Sequence, residues 1–586
     1  MMSSEHEEPL SGVMTVSDRR RRRRLSSLML SLGLLVLLGG AVQMLHGATS
    51  TGYSVDEQTH VERLQNWHNH GWYLPNRDLD PDNLPGSRTA SRAVYGPAFG
   101  WLAHLANVAL GHETYGQVET TAAANDVRHL TVAVLGIVTV GAVGLIAWLL
   151  SRSLLATVWA MAALSSIPVW VGHAMFNIKD VPTAAGYTLA TLALVTAMTS
   201  TVTGRDRWPV TVAAGATLAV GIAIGVGTRT GSWILIALSV VTYVSIRAFA
   251  SWATGRWRVA RSDVALIVGG LAGLSLVFAL YPNNAARPHA WFLAAVRGSA
   301  EFPWTGFTLT AGRLLDENPV WWYLPAWLGA SLPFAVSAAA ISGVVVIVHA
   351  LSRTVRRADN GVLRSLATEP HLVGVLIVQQ LLLGPLAAIA LGTVLYSGLR
   401  QQLFIVPPIA VLAGLGVDGL ARWLAGRPRW PTVLGTAVIC VVLLVPTVDQ
   451  LRLHPYQYVY VNSFAAPINN RWEADYWFVG AREAVQRVPP DERVFCSGWL
   501  VRPWNPERDP GLFGGCGRSI GPYLEEQGVD PLEVDLGENE VWVIGRVRGG
   551  NHPPEQCREV GNVTRALRGE EVLITYLLAC VREPSD

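Results

Sequence analysis

The chain has 586 residues, 51% of them apolar and only 15% charged, with a formal net charge of +2 and a positive mean hydropathy. That composition excludes an ordinary soluble domain, in which about a quarter of the residues carry charge. The small net charge decides little by itself, because the charges are segregated along the chain.

Residues 1–24 read as a disordered cytoplasmic tail ending in the run RRRRRR at 19–24. An apolar stretch follows at once, so these arginines belong at a membrane surface and not on nucleic acid. No small-residue cleavage site follows, which makes the stretch an uncleaved anchor. Further apolar stretches fall at 130–150, 154–171, 184–202, 208–226, 233–250, 264–281, 324–350, 372–395, 403–424 and 432–448. With 25–45 they make about eleven runs near the length at which an α-helix crosses a bilayer. In hydrocarbon every backbone N–H and C=O must be paired internally, so each run is predicted to be a helix. The expected fold class is an α-helical polytopic membrane protein, with a membrane domain over 25–449.

Arginine sets the orientation. The positive-inside rule puts the N-terminus in the cytoplasm. Alternation then assigns the connections 151–153, 203–207, 247–263, 352–365 and 421–430 to the cytoplasm, and each contains arginine. The external set is 46–129, 172–183, 227–232, 282–323, 396–402 and everything after 449. In the first external loop, 94–110 is short and rich in Gly and His, and reads as a helix lying in the interface. Segment 282–323 is long and aromatic, equally a lid over a substrate site or a passive cover.

The tail, 450–586, has ordinary soluble patterning. Its periodicity predicts a helix over 481–488 and strands over 493–500, 540–547 and 571–581, an extracytoplasmic α/β domain. Four of the five cysteines fall here: Cys496, Cys516, Cys557 and Cys580. An even set in an oxidising compartment predicts two disulfides. Three pairings are open, and Cys496–Cys516 with Cys557–Cys580 is the most local.

The external ends of the spans carry the chemistry. Asp56 and Glu57 stand about ten residues beyond the first run, with His60 and Glu62 one to two turns further on if the stretch is helical. The gap HAMFNIKDVP brings His173, Asn177, Lys179 and Asp180; GTRTG brings Arg229 and YSGLRQQ brings Arg400. Lys179 is the only lysine in the chain, the other basic residues all being arginine, a bias that a GC-rich bacterial genome produces. Charges beside hydrocarbon are costly unless paired or used. Singly, each is explained by helix capping or an interfacial ion pair. Together on one rim they suit a particular chemistry, in which cations hold a phosphate attached to a membrane lipid while a carboxylate takes a proton from an attacking hydroxyl. A compact ammonium, unlike a guanidinium fork, can follow such a phosphate through the reaction. A metal at HNH (68–70) with Asp56 and Glu57 rests on weak spacing.

YSVDEQTHVERL resembles the acidic first-loop motif of the polytopic GT-C glycosyltransferases, the class of the protein O-mannosyltransferases and the aminoarabinose transferases. HAMFNIKDVPTAAGYTLA resembles their second-loop acidic motif. PVWWYLPAWLGASLPF, GLRQQLFIVPPIAVLAGLG, and HPYQYVYVN with EADYW resemble later stretches. The likeness covers most of 50–480. It implies transfer of a sugar from a polyprenyl-phosphate donor to a hydroxyl of a protein, glycan or lipid acceptor, by a single inverting displacement outside the cytoplasmic membrane. By the same resemblance Asp56 is the general base, its pKa slightly raised by desolvation. Glu57 and Glu62 orient acceptor or sugar, and Asp180 positions Asp56 or the acceptor. Lys179, Arg229 and Arg400 hold the phosphate, with His173 and Asn177 beside the substrate. The scheme requires no cofactor, and a divalent metal stays open. The alternatives are a transporter or flippase of a lipid-linked sugar, with charges at the bilayer midplane, and a non-catalytic assembly protein.

Overall fold

The computed structural model describes residues 16–82, 93–202, 206–255, 258–300, 308–315, 320–358, 361–425, 427, 435, 444–489, 494–497, 520–526, 541–547, 553 and 557–580. Its first half is α1 (Val16–Ala48), α2 (Val55–His70), α3 (Ala98–Leu110), α4 (Ala122–Ser151), α5 (Leu154–Ser165), α6 (Pro168–His173), α7 (Asp180–Val202) and α8 (Trp208–Thr228). There follow α9 (Trp233–Thr254), α10 (Arg261–Leu280), α11 (Pro288–Ala300), a hairpin of β1 (Thr308–Thr310) and β2 (Arg313–Leu315), and α12 (Tyr323–Ser331). The membrane part closes with α13 (Phe334–Arg357), α14 (Val362–Ala367), α15 (Gly374–Ala390) and α16 (Val406–Ala425).

Among the described residues nine helices are long and apolar enough to cross a membrane: α1, α4, α7, α8, α9, α10, α13, α15 and α16, the last beginning in a 3₁₀ turn at Arg400. The chain is thus an α-helical, multi-pass membrane protein. Two expected spans differ, for one physical reason. Over 154–171 the helix stops after Ser165 and restarts at Pro168, with Ile167 extended between them. Over 324–350 it breaks at Leu332, also extended, before Pro333. Proline lacks the N–H that would continue the ladder, and its ring drives the preceding residue out of the helical region. The run 432–448 lies largely outside the described residues.

The centre of the bundle is α7 and α16, in whose most apolar stretches 83% and 89% of the residues are buried, against only 22–28% in α9, α10 and α13, which lie at its apolar outer surface. Small residues let the central helices touch. Gly186 on α7 faces Gly221 and Gly225 on α8 so closely that a Cβ would collide with backbone, the close approach by which helices associate where lipid removes the hydrophobic drive.

The tail folds around β7 (Glu570–Cys580). It pairs antiparallel with β4 (Val541–Arg546) on one side and with β5 (Cys557–Glu559) and β6 (Val563–Leu567) on the other, and β3 (Val494–Ser497) runs parallel to β4. The expected helix appears as α17 (Ala481–Gln486). Strands were expected at β3, β4 and β7; β5 and β6 are additional. Cys557 and Cys580 face each other in the ladder and form a disulfide. Cys496 lies on β3, and Cys516 falls outside the described residues. One hydrophobic core runs from Trp170 and Phe176 in the bundle through Tyr458 and Trp477 to Ile574 and Leu577 in the sheet, so the tail is packed onto the bundle.

Candidate active site

Asp56 owes its position to the first turn of α2. Ser54 precedes the helix, and its N–H donates to Glu57 Oε2 at 2.7 Å, half of a capping box that fixes the entry of the chain. Neighbouring residues on a helix point about 100° apart. Glu57 therefore turns inward and is fully buried, with His129 Nε2 of α4 donating to Oε1 at 2.9 Å. Asp56 turns the other way. Its Oδ2 accepts from Lys179 Nζ at 2.6 Å and from Arg400 Nη1 at 2.7 Å.

Lys179 and Asp180 are delivered by the N-terminus of α7. Asn177 Oδ1 accepts from the backbone N–H of Asp180 (2.9 Å) and of Lys179 (3.3 Å), the bonds of a helix cap. Asn177 Nδ2 donates to Asp180 Oδ2 (3.1 Å) and lies 3.2 Å from His173 Nδ1. The other Asp180 oxygen accepts from Arg229 Nη1 at 2.8 Å. Arg229 is held in turn because the loop before α3 lies against the end of α8: Gly96 N–H donates to Thr228 O and Thr230 N–H to Val94 O. A side chain at Gly96 would strike the Gly227 carbonyl.

Arg400 is the most enclosed of the cations, 1% exposed. Its guanidinium carbon lies 4.4 Å from the ring centre of Tyr396, 4.5 Å from that of Tyr476 and 4.6 Å from that of Trp477. Lys179 Nζ is 5.6 Å from the rings of Tyr95 and Trp477. Arg400 Nε is buried with no acceptor among the described residues. Two carboxylates thus share three cations, and donor capacity is left over.

The sequence expectations sort accordingly. Asp56, Asp180, Lys179, Arg229, Arg400, Asn177 and His173 form one connected cluster. Asp180 pairs with Arg229 and not with Asp56. Glu57 faces away, into α4. Glu62 also lies apart, six residues and so about 240° around α2 from Asp56, its Oε2 accepting from Asn76 N–H at 3.4 Å. His173 is buried among Phe176, Tyr458 and Trp477, and burial pushes its pKa down to about 3, so it stands neutral. The expectation of a raised Asp56 pKa is reversed. Burial does raise it, but the charges of Lys179 and Arg400 outweigh that effect and hold the carboxyl well below the usual carboxylate range. Burial works against the Lys179 ammonium, and Asp56 more than restores it. The aromatic cage of Tyr396, Tyr476 and Trp477 was missed: Tyr396 stands four residues before Arg400, and EADYW holds the other two rings, but neither stretch by its sequence marks a wall for a cation.

Two clefts flank the cluster. One is bounded by His60, Leu64, Tyr73, Phe99, Ile178 and Lys179, and is mainly apolar. The other is bounded by His173, Trp327, Ser397, Tyr458, Glu473 and Trp477, and is aromatic and polar.

Two kinds of solved structure are among those similar to this fold. ArnT from Cupriavidus metallidurans, bound to undecaprenyl phosphate, aligns over 94% of this chain and 97% of its own, with 14% identity and a TM-score of 0.43. The archaeal oligosaccharyltransferase AglB from Archaeoglobus fulgidus, in complex with an inhibitory peptide and a dolichol-phosphate, aligns over 89% of this chain and 69% of its own, with 11% identity and a TM-score of 0.45. No protein-family model matches the chain, and comparison with curated proteins by sequence gives no match.

Proposed function

We propose that the chain is a membrane glycosyltransferase of the GT-C type that moves a sugar from a polyprenyl-phosphate donor to an acceptor hydroxyl. The observation that carries this reading is the Asp56 carboxylate shared by Lys179 and Arg400, next to the Asp180–Arg229 pair. A surplus of buried cationic donors around one carboxylate suits an incoming phosphate, and charge-assisted bonds from guanidinium and ammonium are the strong ones for that group.

In the resting site Asp56 is a poor base, because two cations stabilise its ionised form. A donor phosphate offers those cations a better partner. As Lys179 and Arg400 turn to it, Asp56 is released to accept a proton. The acceptor oxygen then attacks the anomeric carbon and its proton passes to Asp56. The bond from that carbon to the phosphate oxygen breaks, and the electron pair leaves on the polyprenyl phosphate. Lys179 and Arg400 stabilise the charge that develops there. A single displacement inverts the anomeric centre, and no covalent intermediate is required. Asn177 and Asp180 keep Lys179 and Arg229 in place, and the polar, aromatic cleft at Trp327 and Trp477 suits a sugar ring.

The arginine-rich connections support a cytoplasmic N-terminus, with this rim and the tail on the outer side of the cell membrane. The direct test incubates membranes containing the parent or the Asp56→Asn variant with labelled polyprenyl-phosphate hexoses and pentoses. Transfer by the parent and its loss in the variant support the reading; a parent that consumes none of the donors overturns it.

A further inference from the structure

Among the described residues, the tail reaches Arg400 and Lys179 through the short segment 475–479. Trp477 O accepts from Val55 N–H at 3.2 Å and Val479 O from Gly52 N–H at 2.7 Å, so the segment is bonded to the backbone immediately before Asp56. The side chains complete two of the three walls around Arg400, and the Trp477 ring also covers Lys179. Asp475 fixes the segment. It is wholly buried, and its Oδ1 accepts from Tyr458 O–H (2.7 Å) and from the Phe478 backbone N–H (2.8 Å). Phe478 has φ +65°, a left-handed conformation that costs energy for a non-glycine residue and persists where neighbours enforce it.

We propose that Asp475, Tyr476 and Trp477 are positioning residues for the phosphate site, so that the tail builds one wall of the reaction centre. The chemistry of the wall explains its composition. A buried guanidinium needs compensation, yet any carboxylate or carbonyl placed beside it consumes N–H donors. Aromatic faces attract the cation through the ring quadrupole and take no hydrogen bond. Arg400 Nε correspondingly has no acceptor among the described residues. The cage holds the charge in place and leaves its donors for phosphate. Asp475 acts at one remove, by holding the turn from which both rings project. This inference rests on the phosphate reading of the cluster and adds the tail to it.

The experiment measures binding of undecaprenyl phosphate to the full-length protein in detergent, together with the thermal unfolding midpoint, for the parent, Trp477→Leu, Trp477→Phe, Tyr476→Leu and Asp475→Asn. Losing one face of the cage is expected to weaken binding about tenfold. Trp477→Phe, which keeps a face, should recover most of the affinity. The half-buried Tyr476 carries the same test if Trp477→Leu does not fold. A purely structural role predicts lowered midpoints with unchanged affinity in the folded fraction, and that result overturns the proposal. Equal affinity for Trp477→Leu and Trp477→Phe does so as well. A parent that binds no undecaprenyl phosphate overturns the functional reading and this inference with it, whereas a parent that binds beside variants that bind equally well overturns this inference alone.

Discussion

Replacing Asp56 by asparagine separates the two roles proposed for its carboxylate. Asparagine keeps the shape and removes the charge, and with it both the base and the anion that competes with a phosphate for Lys179 and Arg400. A unit charge roughly 5 Å from the phosphate, at an effective dielectric of about 20, opposes it by about 3 kcal/mol. The Asp56 side chain is 22% exposed, so solvent screens part of that repulsion. What remains corresponds to lipid-phosphate binding at least ~10-fold tighter than in the parent. Loss of the base is expected to lower turnover by about 10²–10⁴. The variant should therefore bind undecaprenyl phosphate better and transfer sugar far worse, a pairing that simple misfolding does not produce. Equilibrium binding and single-turnover transfer on the same preparation read both quantities. Weaker binding puts the phosphate elsewhere, and turnover within about tenfold of the parent removes Asp56 as base.

Three further outcomes follow from the same geometry. Because the pKa of Asp56 is depressed, its contribution to stability is fully present above the usual carboxylate range and lost only as pH falls through the lower folded value; melting between about pH 5 and 8 should show no step from it. When a donor draws the cations away that pKa rises, so the acid limb of kcat should lie at higher pH than that of kcat/KM, and coincident limbs contradict the release of Asp56. Lys179→Arg should lower turnover measurably, because a planar fork replaces a compact ammonium 2.6 Å from Asp56; parental turnover makes the single lysine a matter of chance. Glu57→Gln should lower stability by about 1–3 kcal/mol through the His129 bond and the helix cap, with donor KM unchanged. A raised donor KM with an unaltered melting temperature would instead seat Glu57 at the substrate.

The bilayer makes part of this protein legible in one dimension. Span length and arginine alternation follow from hydrocarbon thickness and surface charge, so most of the helices and the common rim of Asp56, Lys179, Arg229 and Arg400 can be read from order alone. Hydropathy averages composition, however, and both interrupted spans stay apolar across Pro168 and Pro333 while the backbone does not stay helical. The division of labour between Asp56 and Glu57 was hidden because they are adjacent in sequence; which one meets the cations depends on how α2 docks against α4. The pKa of Asp56 was misjudged because desolvation can be guessed from position, whereas the cations opposing it come from residues 123 and 344 positions away. Tyr476 and Trp477 fall in EADYW, whose resemblance marks only a later stretch; in a chain with 22 tryptophans and 15 tyrosines nothing local ties them to Arg400.

The placement of charge also weighs the enzyme against a transporter. A carrier of a phosphorylated lipid head needs cationic groups part-way across the membrane to bind it there. In this bundle polar groups of α7, α9 and α15 are neutral and bonded to one another: Gln380 Nε2 donates to Thr191 Oγ1 and Ser239 Oγ, and Ser239 Oγ meets the Tyr187 hydroxyl at 3.0 Å. Such a cluster fixes helix packing and offers a phosphate no cation. The cations that do suit one stand at helix ends: Lys179 just before α7, Arg229 just after α8, and Arg400 at the opening of the 3₁₀ turn before α16. Arg400 and Lys179 are also held by aromatic rings, an arrangement suited to keeping a phosphate at one level. Chemistry on a lipid head parked at the rim needs that fixity, whereas passage through the bundle would require the clamp to be dismantled in every cycle.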